Sequence, residues 1–334
     1  MSQNFDVLAL GNAIVDVLAP VDDDFIVAQG LRKGGMQLID EAQALALYDA
    51  MGATTIVSGG SAANTVAGLA SFGAKAAFVG KVRDDEAGHA FTHDIKAVGV
   101  HFSTPAATDG PSTARCLVLV TPDGQRTMNT FLGACQNLTV ADLDPAAIKA
   151  AQVLYLEGYL WDPPHAKEAF VEAAKISHAA GRQVALTLSD TFCVDRYRDE
   201  FLGLIRDGVV DIVFANESEL HALFQTADFD VALAALRNEK VLAAVTRSEK
   251  GAAILRAGEV VSVPAAPIEK LVDTTGAGDL FAAGFLAGYT RGKPLDHCAR
   301  LGALAAAEII QHYGARPEVS LSGLADQSGY VHAV

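Results

Sequence analysis

A glycine-rich turn that ends in an aspartate holds the residues best suited to chemistry in this chain. The run DTTGAGD, residues 273–279, leads directly into an apolar, alanine-rich helical pattern. First-turn N–H groups of a helix have no intrahelical partner, and the helix dipole favours negative charge there. Asp279 adds a carboxylate beside this anion site, which suits a reaction that deprotonates a hydroxyl while a phosphoryl group is stabilised. On its own, however, a GAGD run is more often an ordinary loop-to-helix turn.

A second glycine-rich turn, SGGSAAN at residues 58–64, also opens a helical pattern. Gly60 has no side chain and can admit a ligand, and Asn64 can hydrogen-bond hydroxyl groups. The chain contains no GxxxxGK[ST] run, so this turn is not a Walker P-loop.

Two further polar residues follow the first apolar run of the chain. Phe5–Leu10 is predicted to be a buried strand that ends at Gly11. Asn12 and Asp16 come directly after it. They either face a ligand at the mouth of this strand or belong to a solvated turn. No GxGxxG follows the strand, which argues against a Rossmann dehydrogenase.

The second half of the chain alternates short apolar runs with helical stretches. Strands are predicted at 153–156, 184–188, 209–214 and 241–245, and helices at 165–180, 196–207 and 218–224. This alternation predicts an α/β fold with a mostly parallel sheet and helices on both faces. Ligands bind such sheets at the carboxyl ends of the strands, where the polar motifs lie.

A β-hairpin interrupts this pattern. Residues 113–120 and 126–131 flank a Pro-Asp-Gly turn, and a hairpin is out of place in a doubly wound sheet. We therefore expect a small β lid over the substrate site. Arg126 in this hairpin is either a phosphate contact or an ordinary surface arginine.

The two glycine-rich motifs together resemble those of the ribokinase-like (PfkB) family of carbohydrate and nucleoside kinases. DTTGAGDLFAAGFL matches the family signature without a gap, and GGSAAN followed by GKVRDDEAG resembles its first motif. The resemblance implies that Asp279 is the catalytic base and that the amides of Gly276, Ala277 and Gly278 form the anion hole. It also implies a ribokinase-like fold that covers nearly the whole chain.

The N-terminal half resembles the adenosine kinase branch of that family, through GNAIVDVLAPVDDDFIVAQGLRKGGMQLID. The resemblance implies that polar residues hold the ribose and that apolar residues line the base pocket. The implied sugar-binding residues are Asn12, Asp16, Gly59, Gly60, Ser61 and Asn64. The implied base-pocket residues are Ile14, Leu38, Leu132 and an aromatic residue, Tyr159. For the apolar residues, plain core packing is the alternative.

The resemblance also implies a site for ATP and its metal ion. Asn216 and Glu219 match an N-x-x-E motif that lies near the phosphates and orients water-bound Mg²⁺; helix capping by Asn216 is compatible with that role. Thr246 and Gly251 match a nucleotide-phosphate loop, in which Ser248 replaces the usual middle glycine. Gly276 and Gly278 would also contact ATP. A monovalent cation, K⁺, would lie near Asp273 and Thr275.

The composition excludes several classes of partner. The net charge is −15 and the isoelectric point near 4.9, which argues against binding to nucleic acid or acidic membranes. No apolar run is long enough to span a membrane, and the N-terminus has no signal-peptide pattern. Four scattered cysteines without a CxxC pair fit a reducing cytoplasm.

These observations predict an ATP-dependent kinase of the 5′-hydroxyl of a nucleoside, with adenosine converted to AMP. The alternatives are another nucleoside kinase (inosine, guanosine or cytidine), a sugar kinase for ribose or fructose, or a non-catalytic nucleoside-binding protein. Residues 1–14, 57–111 and 134–334 are expected to form the core, and 15–56 and 112–133 the β lid. The enzyme is expected to be a monomer or a homodimer.

Overall fold

The computed structural model describes residues 4–329 as two β-sheets with helices around the larger one. The strands are β1 (Phe5–Leu10), β2 (Ile14–Pro20), β3 (Met36–Leu38), β4 (Thr55–Gly59), β5 (Ala76–Val79), β6 (His101–Phe102), β7 (Ala114–Val120), β8 (Arg126–Phe131), β9 (Ala151–Glu157), β10 (Gln183–Thr187), β11 (Ile212–Asn216), β12 (Leu242–Thr246), β13 (Ala252–Arg256) and β14 (Glu259–Val263).

The helices surround these strands in sequence order. They are α1 (Asp23–Ala28), α2 (Glu41–Ala50), α3 (Ser61–Ser71), α4 (Glu86–Ala97), α5 (Pro145–Ala150), α6 (Pro164–Ala179), α7 (Thr191–Arg206), α8 (Glu217–Phe224), α9 (Phe229–Leu236), α10 (Ala277–Tyr289), α11 (Leu295–Ile309) and α12 (Leu321–Gln327).

The larger sheet has the strand order β14-β13-β12-β11-β10-β9-β1-β5-β6. All pairs from β12 through β6 are parallel, whereas β13 and β14 form an antiparallel edge. The side chains of β1 show why both faces are covered: Val7 and Ala9 join one apolar cluster with α3, α10 and α11, while Leu8 and Leu10 join another with α6 and α7. The predicted mostly parallel α/β sheet is confirmed.

The smaller sheet has the order β3-β8-β7-β2-β4 and stands over one end of the larger sheet. The hairpin predicted around the Pro-Asp-Gly turn is present as the antiparallel pair β7–β8. The remaining strands come from the 14–59 part of the chain. The division into a core and a lid that closes stays a prediction.

Helices α3 and α10 approach each other closely because Gly68 lies between them. A Cβ on Gly68 would come within 2.6 Å of a Leu280 methyl carbon and 2.7 Å of the Ala283 Cβ. This contact brings the N-terminal turns of both helices to one place, so the two glycine-rich motifs meet although more than 200 residues separate them.

Two details differ from the sequence-based expectations. The apolar residues before the DTTGAGD run were expected to form the end of a strand, but residues 264–276 have no strand. Val272 and Asp273 instead donate their N–H groups to the carbonyl oxygen of Ile310 at the end of α11. The antiparallel β13–β14 edge was not predicted, because its short runs flank an ordinary two-residue turn at Ala257-Gly258.

In residues 4–329, no helix combines the length and apolar character needed to cross a bilayer. Cys116, Cys135, Cys193 and Cys298 are all buried free thiols.

Candidate active site

A cleft of about 520 Å³ lies between the carboxyl ends of the large-sheet strands and the inner face of the small sheet. Most of the predicted site residues line it: Asn12, Ile14, Asp16, Leu38, Gly60, Ser61, Asn64, Leu132, Tyr159, Asn216, Glu219, Thr246, Thr275, Gly276, Ala277, Gly278 and Asp279. Four predicted residues, Gly59, Arg126, Gly251 and Asp273, lie behind these walls.

The N-terminal turn of α10 presents free backbone donors to the cleft. Gly276 is its N-cap, with a left-handed φ of 80° and no side-chain cap. The Ala277 N–H donates to the carbonyl oxygen of Thr274 at 3.2 Å. Within residues 4–329, the N–H groups of Gly276, Gly278 and Asp279 have no hydrogen-bond acceptor. These unpaired donors, combined with the helix dipole, can bind an anion.

Asp279 is fixed in position by two side chains of α3. Its Oδ1 accepts a hydrogen bond from Ser61 Oγ at 2.6 Å, and its Oδ2 accepts one from Asn64 Nδ2 at 3.0 Å. Burial raises the pKa of the Asp279 carboxyl, and these hydrogen bonds and the charge of Arg316 oppose the rise. A carboxylate with a raised pKa, held next to free amides, can take a proton from a hydroxyl.

Asn64 and Asn12 have different amounts of free hydrogen-bonding capacity. The Asn64 Oδ1 is buried and has no partner in the described chain, so it can accept a bond from a ligand hydroxyl. Asn12 is held by Glu157, whose Oε1 accepts from its N at 3.2 Å and its Nδ2 at 2.7 Å. The other oxygen of Glu157 accepts the Ala62 N–H at 2.8 Å.

Asp16 faces the cleft from β2 and packs on Gly59. A Cβ on Gly59 would lie only 2.3 Å from Asp16 Oδ2, so this glycine makes room for the carboxylate. Gly59 therefore supports Asp16 and does not itself line the cleft. Burial raises the pKa of Asp16 to about 6, and the charges of Arg316 and Arg126 oppose the rise. No hydrogen bond to Asp16 is present in the described chain, which leaves its oxygens available to hydroxyl donors.

Asn216 and Glu219 form the start of α8. Asn216 caps this helix, and Glu219 closes a capping box by accepting from Asn216 N at 3.0 Å and Nδ2 at 2.6 Å. Burial raises the pKa of Glu219 to about 7. The described residues contain no cluster of three metal-ligating side chains. Mg²⁺ fits such a place, because it is usually held by one or two carboxylates, water and substrate phosphates.

The loop after β12 explains the serine that replaces a family glycine. Ser248 has a φ of 51°, a left-handed conformation that glycine adopts more easily. Gly251 also has a positive φ, of 86°, and packs against the carbonyl oxygen of Val263. Gly251 thus shapes the β12–β13 turn, whereas Thr246 lines the cleft.

Asp273 and Arg126 pair with each other across the two sheets. Arg126 Nη2 lies 2.6 Å from Asp273 Oδ2 without hydrogen-bond geometry, and both side chains are about nine-tenths buried. Asp273 Oδ1 accepts from Thr275 N and Oγ1, and its Oδ2 accepts from Gly314 N. The guanidinium therefore already occupies a place beside Asp273 where a monovalent cation would bind.

The lid contributes an apolar wall to the cleft. Besides the predicted Ile14, Leu38 and Leu132, it includes two methionines, Met36 and Met128. Sequence reasoning passed over both methionines because neither belongs to a chemical motif.

Three functional residues were also missed. Glu157 ends β9, and a buried glutamate at a strand's carboxyl end was the available signal. Ser189, with a φ of 74°, accepts the Tyr159 N–H at 3.1 Å in the cleft. Arg316 lies in a loop after α11, and nothing in its local sequence distinguishes it from a surface arginine.

Comparisons with known proteins agree with this geometry. The sequence profile for the pfkB family carbohydrate kinases matches residues 40–320. The adenosine kinase from Sinorhizobium meliloti is 54% identical, with a TM-score of 0.92, over 98% of this chain and 100% of that one. A probable sugar kinase from Rhizobium etli CFN 42 is 52% identical, with a TM-score of 0.93, over 99% and 100%. Adenosine kinase 2 of Arabidopsis thaliana is 27% identical over 94% of this chain and 96% of its own length.

The chain therefore belongs to the pfkB family of carbohydrate kinases, and its fold is ribokinase-like. It is a phosphotransferase that acts on a hydroxyl group.

Proposed function

We propose that this pfkB-family kinase transfers the γ-phosphoryl group of ATP to the 5′-hydroxyl of adenosine. One observation carries the acceptor assignment: polar groups near Asp279 lie opposite the apolar lid wall of Met36, Leu38, Met128 and Leu132 within one cleft. A nucleoside has a polar sugar and a flat, largely apolar base, which match these two ends. The similarity to adenosine kinases supports the same substrate.

The ribose is proposed to lie against Asp16, Asn12 and Asn64. Asp16 offers carboxylate oxygens to which two neighbouring hydroxyls can donate. Asn64 offers its unpaired Oδ1, while its Nδ2 stays on Asp279. Because Asn64 touches both the proposed sugar site and the carboxylate, it would fix the distance between the hydroxyl and its base.

Asp279 is proposed to accept the proton of the attacking 5′-hydroxyl. That oxygen bonds to the γ-phosphorus as the bond from phosphorus to the bridging oxygen of ADP breaks. The amide donors of Gly276 and Gly278 would stabilise the charge on the transferring group. Mg²⁺, held through Glu219, Asn216 and water, would neutralise phosphate charge. Arg126, whose Nε and Nη2 make no hydrogen bond in the described chain, is proposed as a lid donor to the phosphates.

The base of ATP needs a second apolar site, which a groove of about 920 Å³ could provide. The groove lies between residues 264–269 and one face of α11, with Ala303, Leu304 and Ala307 on its wall. It adjoins the segment that leads into the α10 turn. We propose that it holds the adenine of ATP, and Ala303→Trp should raise the KM for ATP more than the KM for the acceptor.

A monovalent cation does not fit beside Asp273 while Arg126 remains paired there. We route no step through such an ion, and K⁺ stays an expectation of the family resemblance. The four buried free thiols support a reducing compartment such as the cytoplasm.

The test is ADP release from Mg-ATP with adenosine, inosine, guanosine, cytidine, ribose and fructose as separate acceptors. We expect adenosine to give the highest kcat/KM. Leu132→Glu, which places a charge in the lid wall, should raise the KM for adenosine, whereas Leu45→Glu on the exposed face of α2 serves as a control. A free sugar with the highest kcat/KM would favour the sugar kinase alternative. Tight adenosine binding without ADP release would indicate a non-catalytic binding protein.

A further inference from the structure

Arg316 makes three hydrogen bonds at the junction between the two sheets. Its Nη1 donates to the Ala63 carbonyl oxygen at 2.7 Å, its Nε to the Ser58 carbonyl oxygen at 3.3 Å, and its Nη2 to Ser58 Oγ at 3.2 Å. Ser58 belongs to β4 of the small sheet, and Ala63 belongs to α3, which packs on the large sheet. One planar guanidinium therefore bridges both parts of the molecule.

The segment between these two contact points is the Gly59-Gly60 turn. Gly60 has a φ of 97°, and its Cα lies close to the Asn12 carbonyl oxygen, which a Cβ would approach to 2.3 Å. A turn of two glycines has many conformations available to it and loses much entropy when it is fixed. Arg316 holds the residues on both sides of it and so restricts the turn to one conformation.

The held turn sets the position of two carboxylates. On one side, Gly59 packs against Asp16. On the other side, the first turn of α3 carries Ser61 and Asn64, which bind Asp279. A shift at the glycine pair would therefore move both carboxylates relative to each other, and a displacement of about 1 Å in such a site can cost on the order of 10²-fold in rate.

The charge of Arg316 acts on the same two carboxylates. Asp16 on β2, Asp279 on α10 and Asp94 on α4 are the acidic groups that face it, and Arg126 on β8 also faces Asp16. Burial raises the pKa of Asp16 and of Asp279, and Arg316 opposes the rise in each case. Two carboxylates in one enclosed cleft repel each other, so a nearby cation makes it easier for both to be ionised.

We propose that Arg316 is a positioning residue that clamps the Ser58–Ala63 turn and supplies the positive charge shared by Asp16 and Asp279. The role rests on the proposed function for its catalytic consequence, since the clamp matters for the nucleoside and its base. Arg316 itself does not line the cleft and acts through other residues.

The first experiment measures the pH profile of adenosine phosphorylation for the wild type, Arg316→Met, Arg316→Lys and Arg182→Met, a charge-loss control outside the cleft. In Arg316→Met, the acid limb of kcat/KM should move up by about one pH unit, because the cation that favours both ionised carboxylates is gone. Arg316→Lys keeps the charge and should keep the acid limb. A limb that stays at the wild-type pH in Arg316→Met overturns the electrostatic role.

The second experiment measures amide hydrogen exchange in the free proteins, without any substrate. Exchange across residues 55–66 should be faster in both Arg316 variants, because lysine cannot make the three-donor clamp. Unchanged exchange there overturns the clamp. This measurement does not depend on turnover, so it still tests the clamp if the wild type phosphorylates no nucleoside, a result that would refute the proposed function alone. If Arg316→Met does not fold, Arg316→Lys provides both measurements.

Discussion

Helices α3 and α10 begin in the same way, but their N-terminal turns serve different purposes. Each starts at a glycine with a left-handed φ, 97° for Gly60 and 80° for Gly276, and neither has a side-chain cap. At α3, the Glu157 carboxylate accepts the Ala62 N–H, so the protein's own anion occupies that turn. At α10, the amides of Gly278 and Asp279 have no acceptor in the described chain.

The difference shows that a glycine-rich turn alone does not specify an anion site. Glu157 lies 95 residues from Ala62 and reaches α3 only because β9 ends beside β1 in the sheet. With its first turn occupied, α3 can present side chains, Ser61 and Asn64, to Asp279. We expect α3 to position groups and α10 to bind the phosphoryl group, and the following variants test that division.

The largest effect is expected for Asp279→Asn. The amide keeps the size of the side chain but cannot accept the proton, so kcat should fall on the order of 10² to 10⁴-fold. Steady-state kinetics with adenosine, together with a thermal unfolding curve, measures it. Near-normal turnover in a folded variant would refute the assignment of Asp279 as the base.

Glu157→Gln tests the occupied turn of α3. The glutamine Nε2 would face an N–H donor where an acceptor is needed, so unfolding should become easier by about 1–3 kcal/mol. The KM for adenosine should rise because Asn12 loses its anchor. Denaturant unfolding and kinetics measure both, with Glu168→Gln, on the exposed face of α6, as the control. A variant as stable as that control would show that Glu157 does not hold the turn.

Gly278→Ala separates the needs of the ligand from those of the fold. A Cβ on Gly278 would meet no atom within 4 Å, and its φ is not in the left-handed region. Stability should therefore be unchanged or slightly higher, since alanine is the better helix former by up to about 1 kcal/mol. Activity should fall roughly tenfold, because the methyl group crowds a donor that binds the phosphoryl group.

Gly276→Ala is the matched comparison for that variant. Its φ is left-handed, and its Cβ would lie 2.8 Å from the Ala315 Cβ, so this variant should lose stability as well as activity. Full activity in a stable Gly278→Ala enzyme would argue against phosphoryl binding at α10.

The smallest predicted effect is the opposite pH dependence of activity and stability at Asp16. Its pKa is about 6 in the folded protein and near 3.9 when unfolded, so the folded state holds more protons between these values. Its contribution to stability is present below about pH 4 and is lost as the pH rises to about 6. Activity should instead rise over that range, because the ionised carboxylate accepts the hydroxyls.

Asp16→Asn tests this pH dependence directly. The variant should gain about 1–2 kcal/mol relative to the wild type between pH 4.5 and 7.5, while its KM for adenosine rises. Denaturant unfolding at the two pH values measures the gain. A difference in stability that does not depend on pH would show that the pKa of Asp16 is not raised.

Local sequence carried much of the fold. The hairpin around the Pro-Asp-Gly turn was predicted from turn chemistry, and the Asp40 cap of α2 from a helix-start pattern. The strands at 153–156, 184–188 and 241–245 were predicted because parallel strands buried on both faces are continuous apolar runs. Strand β4 was missed because its outer residues, Thr55 and Ile56, are exposed and no apolar pattern marks them.

The sequence by itself determined the two glycine-rich turns, the carboxylate at Asp279 and the sheet that places them, because backbone freedom and hydrophobic periodicity are local properties. Only the tertiary structure decided which turn keeps free amides and which is filled by Glu157. It also decided that Arg126 faces Asp273 and that Arg316 bridges the two sheets. Charges buried far apart in sequence interact through space, and no local pattern encodes which of them will meet.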